Sequence, residues 1–286
     1  MFRALALAAV LQGSEPEDFK AYFPKLTKPA EQIEAVLALD HVKGLLAAEV
    51  LLPVLKHPTS DVRAAAVRVL ADNDDPQAIA FLVGALKKKD SQQRAALCEV
   101  FGRGKRVEAR ADIEKIAKEA DWLGRARACE ALGRIGDVAS LPAVLPCAKD
   151  SEVEVRIAAC DGLGALGDGA GAPALLAALG DKEWRVRASA IAALARVRTK
   201  DAIPPLVKIV STEEGRLVED AARTLKVLTG RDFGRDGSSW ARWWTQVEAS
   251  YQLPTVADLE KAAAARAKAA HSGETGVFER KVNEFI

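Results

Sequence analysis

"SEVEVRIAACDGL", residues 151–163, and "KEWRVRASAIAAL", residues 182–194, carry one pattern at an interval of 31 positions. Outward from that pair the interval holds across the chain. Leu39, Leu70, Phe101, Leu132, Leu163, Leu194 and Leu225 form one series; Leu51, Leu82, Ile113, Val144, Leu175 and Leu206 form another. Arg63, Arg94, Arg125, Arg156 and Arg187 make a third, and proline recurs at 142, 173 and 204. Independent series in one register, without insertion, establish an internal repeat.

Each repeat reads as two helices. "DVRAAAVRVLAD" (61–72) and "EVRIAACDGLGAL" (154–166) place apolar residues at helical spacing, with alanine where helices must approach closely. The other half, as in "DAIPPLVKIVS" (201–211), opens with proline, which a helix tolerates in its first turn. Gly136 and Gly167 fall where a helix must stop. Two short helices in every 31 residues predict an all-α protein, an α-solenoid in which neighbouring units share one core.

The run D-x-x-V-R-x-x-A-A-x-x-L resembles a HEAT repeat, of the short bacterial kind also found in phycobilisome lyase subunits. The likeness covers residues 28–229, about six double-helix units and a half. The unit at 90–120 departs most, with Gln93 in a valine position and the polar second half "RGKRVEARADIEKIAKEA". That makes it a candidate bend or contact site.

The repeat is flanked by other material. Residues 1–27 hold either a short export signal (Arg3, then Ala4–Leu11) or a first amphipathic helix. The signal reading slightly favours an exported or periplasmic protein. At 230–253, Trp240, Trp243 and Trp244 stand at i, i+3 and i+4 on one helix face behind Asp236, Ser238 and Ser239, any of which can cap it. A solenoid needs an atypical terminal unit, so this stripe reads as a cap. Gly230–Trp244 resembles the G-x-D-F-G-x-D-x-x-x-W-x-x-W-W ending of other bacterial HEAT-repeat proteins. Its "DFG" is no kinase motif, since no Gly-rich phosphate loop or H-R-D precedes it. Asp232 and Asp236 lack calcium-loop spacing. The tail, 254–286, breaks the period and carries the helix former "VADLEKAAAARAKAA".

Candidate surface residues follow from the register. Each ladder arginine from Arg94 to Arg187 has an acid four positions earlier (Asp90, Asp121, Glu152, Glu183), which predicts a structural pair across the helix start. Farther along the same helix, Glu99, Glu130 and Asp161 form a row, with Arg103, Arg134 and Arg196 four positions beyond its line. Glu99–Arg103 and Glu130–Arg134 are expected as i,i+4 pairs. If this helix lines the inner curve, as the resemblance implies, the row is the natural partner surface. Trp122 and Trp184 share a further position and are candidate interface anchors.

Composition narrows the function. Forty-one basic and forty acidic residues leave +1, without the basic excess that phosphate contacts favour. Three histidines (His41, His57, His271), none followed by glutamate, exclude the His-Glu pairs of metal-dependent hydroxylases of this architecture. Cys98, Cys129 and Cys160 occupy one apolar position too far apart to bridge, so they read as buried thiols. No run is long enough to span a bilayer. The expectation is a monomeric, non-enzymatic scaffold for protein partners, on the concave face of a solenoid and without a cofactor. The alternatives are a bilin-lyase-like subunit and a DNA glycosylase of HEAT-like build.

Overall fold

The computed structural model describes residues 16–119 and 121–265; the expected signal at 1–13 and the tail beyond 265 lie outside the described residues. Every described element is helical, which makes the chain an all-α solenoid. It forms two compact units, divided between Val197 and Arg198.

The first unit contains α1 (Pro16–Tyr22), α2 (Pro29–Leu37), α3 (Leu45–Leu51), α4 (Ser60–Asp72), α5 (Pro76–Leu86) and α6 (Ser91–Arg103). It continues with α7 (Arg110–Ile116), α8 (Trp122–Ile135), α9 (Leu141–Val144), α10 (Val153–Leu166), α11 (Ala172–Ala178) and α12 (Trp184–Val197). From α4 onward, long and short helices alternate, as the 31-residue unit requires. Asp90 and Asp121 start α6 and α8 by accepting from the N–H groups of Gln93 (2.9 Å) and Gly124 (3.2 Å). Gly136 and Gly167 end α8 and α10 in the left-handed region, at φ 80° and 68°.

Both apolar series lie in the core: Leu132, Leu163, Leu194, Ile113, Val144 and Leu175 are all fully buried. Cys98, Cys129 and Cys160 are buried with them.

A line of small residues sets how closely the long helices approach. Gly102 faces Ala131, Gly133 faces Gly162, and Gly164 faces Ala193. A Cβ on those glycines would stand 2.9, 2.7 and 2.8 Å from the facing α-carbon. From α6 onward the long helices therefore stack on one another far more extensively than the short helices do. The long-helix layer is the tighter one, and its side chains are held in fixed register.

The second unit contains α13 (Ile203–Thr212), α14 (Arg216–Thr229) and α15 (Gly237–Val247). Gly230, at φ 70°, ends α14, and Asp236 caps α15 by accepting from Ser239 N–H at 3.0 Å. Helix α15 packs on α13, with Gly237 tight against Ser211. Trp240 is fully buried and donates its indole N–H to the Gly234 carbonyl at 2.9 Å. Trp244 is buried and Trp243 half-buried; Tyr251 meets both rings edge-on, with centroids 5.6 and 5.4 Å away. Arg198 ties the start of the following segment to α14, donating to the Val227 and Pro254 carbonyls.

Candidate functional site

The ladder arginines do not pair as their local spacing predicts. Arg94, Arg125 and Arg156 reach the acid 25 positions later, in the turn before the next long helix. Arg125 grips Asp150 with Nε at 2.7 Å and Nη2 at 2.9 Å. Arg156 grips Asp181 in the same fork, and Arg94 meets Glu119 at 2.6 Å. The same guanidinium also reaches back: Arg125 donates to the Glu119 carbonyl, Arg156 to those of Asp150 and Ser151, and Arg187 to Asp181. Asp90 and Asp121 are instead occupied as helix caps. An acid at the first position of a helix finds free N–H groups within its own turn, and these outcompete a side chain that must fold back. The ladder is thus a brace between repeats. The guanidinium of Arg156 holds Asp181 ionised below its ordinary range, chiefly by hydrogen bonding.

The surface row lies on the long-helix layer. Glu99 and Arg103 stand 3.9 Å apart, a loose pair. The expected Glu130–Arg134 pair is absent, because Glu130 accepts from Arg127 at 2.8 Å on the preceding turn. Arg134 lies exposed with its aliphatic stem against Gly102. Among the described residues neither Arg134 nor Arg196 is in an ion pair. Asp161 keeps contact with solvent, yet the crowding of neighbouring helices raises its pKa, with Glu130 adding to the shift. Ser189 and Arg196 work against it. The row therefore presents two unconsumed guanidiniums and one ion-averse carboxyl on a rigid layer.

Trp122 and Trp184 open α8 and α12, and are 45 % and 48 % exposed. They stand at the edge of the layer rather than in the charged row.

One feature escaped the sequence reading. Cys147, outside the 31-residue series, contacts Cys129, and that contact together with burial keeps the Cys129 thiol protonated. Only the repeat phase of the short helices could have indicated it. Among the described residues no three His, Cys, Asp or Glu gather in a way that could hold a metal.

The family model for HEAT repeats matches residues 25–102, 86–156 and 141–226. No curated protein matches the chain at a significant level. Among solved structures, the CpcE–CpcF complex of phycocyanin lyase from Nostoc sp. PCC7120 is similar at 18 % identity and TM-score 0.44, covering 82 % of this chain and 95 % of that one. Human deoxyhypusine hydroxylase in complex with glycerol matches at 17 % and 0.39, covering 79 % and 88 %. An engineered protein matches at 19 % and 0.43, covering 77 % and 72 %. These likenesses concern the fold alone.

Proposed function

The chain belongs to the family of HEAT repeats, and from that premise we propose that it is a non-enzymatic scaffold that binds protein partners through the long-helix layer of its first unit. The observation that carries this reading is the state of the row. Arg134 and Arg196 are exposed guanidiniums, without ion pairs among the described residues, on helices whose spacing the glycine contacts fix. A guanidinium that holds no carboxylate of its own has no ion pair to break when a partner carboxylate arrives. Glu99, Glu130 and Asp161 interleave with them, so the surface suits a partner of mixed charge. Trp122 and Trp184 are aromatic anchors at its edge.

The test is affinity capture from cells of the source organism with the intact chain, the Arg134→Glu/Arg196→Glu variant, and a variant with Glu99, Glu130 and Asp161 changed to Lys. Loss of the captured proteins with unchanged helicity is the expected result. Identical capture by all three would remove the row from the binding surface.

A further inference from the structure

The long-helix layer is stacked less closely before α6 than after it. Ala71, Gly102, Gly133 and Gly164 are one repeat series, and Val100, Ala131, Gly162 and Ala193 are the series that faces it. At the α4–α6 junction the register therefore sets Ala71 and Val100 where later junctions have glycine against alanine or glycine. Helices α4 and α6 touch over a shorter stretch than α6 with α8, α8 with α10 or α10 with α12. A cleft of about 610 Å³ opens there. Leu55, Ala64, Val67, Ala96 and Leu123 give it an apolar floor, while the Glu99 carboxylate, facing Arg103 at 3.9 Å, lines it as well.

The ladder also breaks at this junction. The residue 25 positions beyond Arg63 is Lys88, where Arg94, Arg125 and Arg156 find an acid. Arg63 spends one nitrogen, Nη1, on the carbonyls of His57 (2.6 Å) and Pro58 (2.9 Å). Among the described residues no carboxylate pairs with it. Arg127, across the cleft, is committed to Glu130. Arg63 is thus held by two carbonyls at the wall of a cleft that Gln92 also lines, without a carboxylate partner among the described residues.

We infer that the cleft between α4 and α6 is a binding site for an acidic-apolar peptide segment of a partner protein, its carboxylate taken by Arg63 and an adjacent apolar side chain seated on the alanine and leucine floor. This rests on the scaffold reading and names the partner chemistry at one end of that surface. The guanidinium fork suits a carboxylate in two-point contact, and the apolar floor selects against a free inorganic anion.

The test titrates the full isotope-labelled chain with acetylated Leu-Glu-Leu-Glu, Leu-Gln-Leu-Gln and Leu-Lys-Leu-Lys, and with inorganic phosphate, read by the amide signals of Ala64, Gln92 and Ala96. The glutamate peptide should bind at least tenfold more tightly than the other two peptides and than phosphate. Arg63→Gln should weaken it by tenfold or more. Because Arg63→Gln also loosens the His57–Pro58 turn, Ala96→Phe, which fills the floor and leaves Arg63 intact, must weaken it as well. Equal binding by either variant, by the lysine peptide or by phosphate overturns the assignment, as does no binding of the glutamate peptide. If that happens while Arg134→Glu/Arg196→Glu still abolishes capture, the cleft assignment falls and the scaffold stands; if capture is also unchanged, both fall.

Discussion

Arg156 and Asp181 clasp each other across successive repeats, Nε to Oδ2 at 2.7 Å and Nη2 to Oδ1 at 3.1 Å, with Arg156 only 7 % exposed. A buried guanidinium without its carboxylate is costly, whereas replacing both partners by apolar residues of similar volume is often neutral. Asp181→Ala should therefore lower stability by about 3 kcal/mol, the low end for a broken buried pair, because the carbonyls of Asp150 and Ser151 still accept from Arg156. Arg156→Met/Asp181→Leu should cost much less. Urea unfolding of the two variants decides this; equal losses would mean that the brace contributes through packing rather than charge.

Glycine substitutions should separate the seam from ordinary helix positions. Gly133→Ala places a methyl 2.7 Å from the α-carbon of Gly162, a backbone atom that cannot rotate away. Overpacking of that kind costs about 1–3 kcal/mol. Gly84→Ala, in α5, meets nothing within 4 Å and should gain up to about 1 kcal/mol from helix propensity. Thermal unfolding measures both. A neutral Gly133→Ala would show that the long helices can slide apart freely.

Much of this was legible in sequence because a repeat states its core many times over: Leu132 and Leu163 need no more than their spacing to be placed. The start of α6 at Asp90 and the stop of α8 at Gly136 were equally local. The ladder's partners were not. Asp181 meets Arg156 from the following repeat, and no local pattern distinguishes that acid from Glu152, which stands closer in sequence. Glu130 had two arginines within a turn, and rotamer geometry chose Arg127 over Arg134. The α4–α6 cleft was not legible either: Arg63, Gln92 and Leu123 line it from three helices that meet only when the repeats stack.

Thiol burial predicts alkaline instability. Burial pushes Cys98 and Cys160 up to about 12, whereas an unfolded thiol ionises near 8.5. Below that lower value both states hold their protons and nothing changes. Above it the unfolded chain binds fewer protons than the folded one, so stability falls as pH rises, by about 1.4 kcal/mol per thiol per pH unit until the folded value is reached. Cys98→Val/Cys160→Val, matching the valine and isoleucine at equivalent positions 67 and 191, should flatten the decline between about pH 9 and pH 11. An identical slope in wild type and variant would show that these thiols become accessible before unfolding.

The tryptophan stripe supports a graded prediction for the second unit. Trp240 is fully buried, hydrogen-bonded to Gly234 and set edge-on to Phe233 at 4.9 Å. Trp243 keeps one side in solvent. If α15 closes the repeat core as a terminal cap, the loss should follow burial. Trp240→Ala should then cost about 3–5 kcal/mol, and Trp243→Ala clearly less. A cap also acts on what lies beneath it. Amide exchange should therefore accelerate in α13, on which α15 packs, and in α14 behind it. Exchange confined to α15 itself would make the stripe a self-contained aromatic cluster. Trp243, the half-exposed member, would then be the residue to probe for docking.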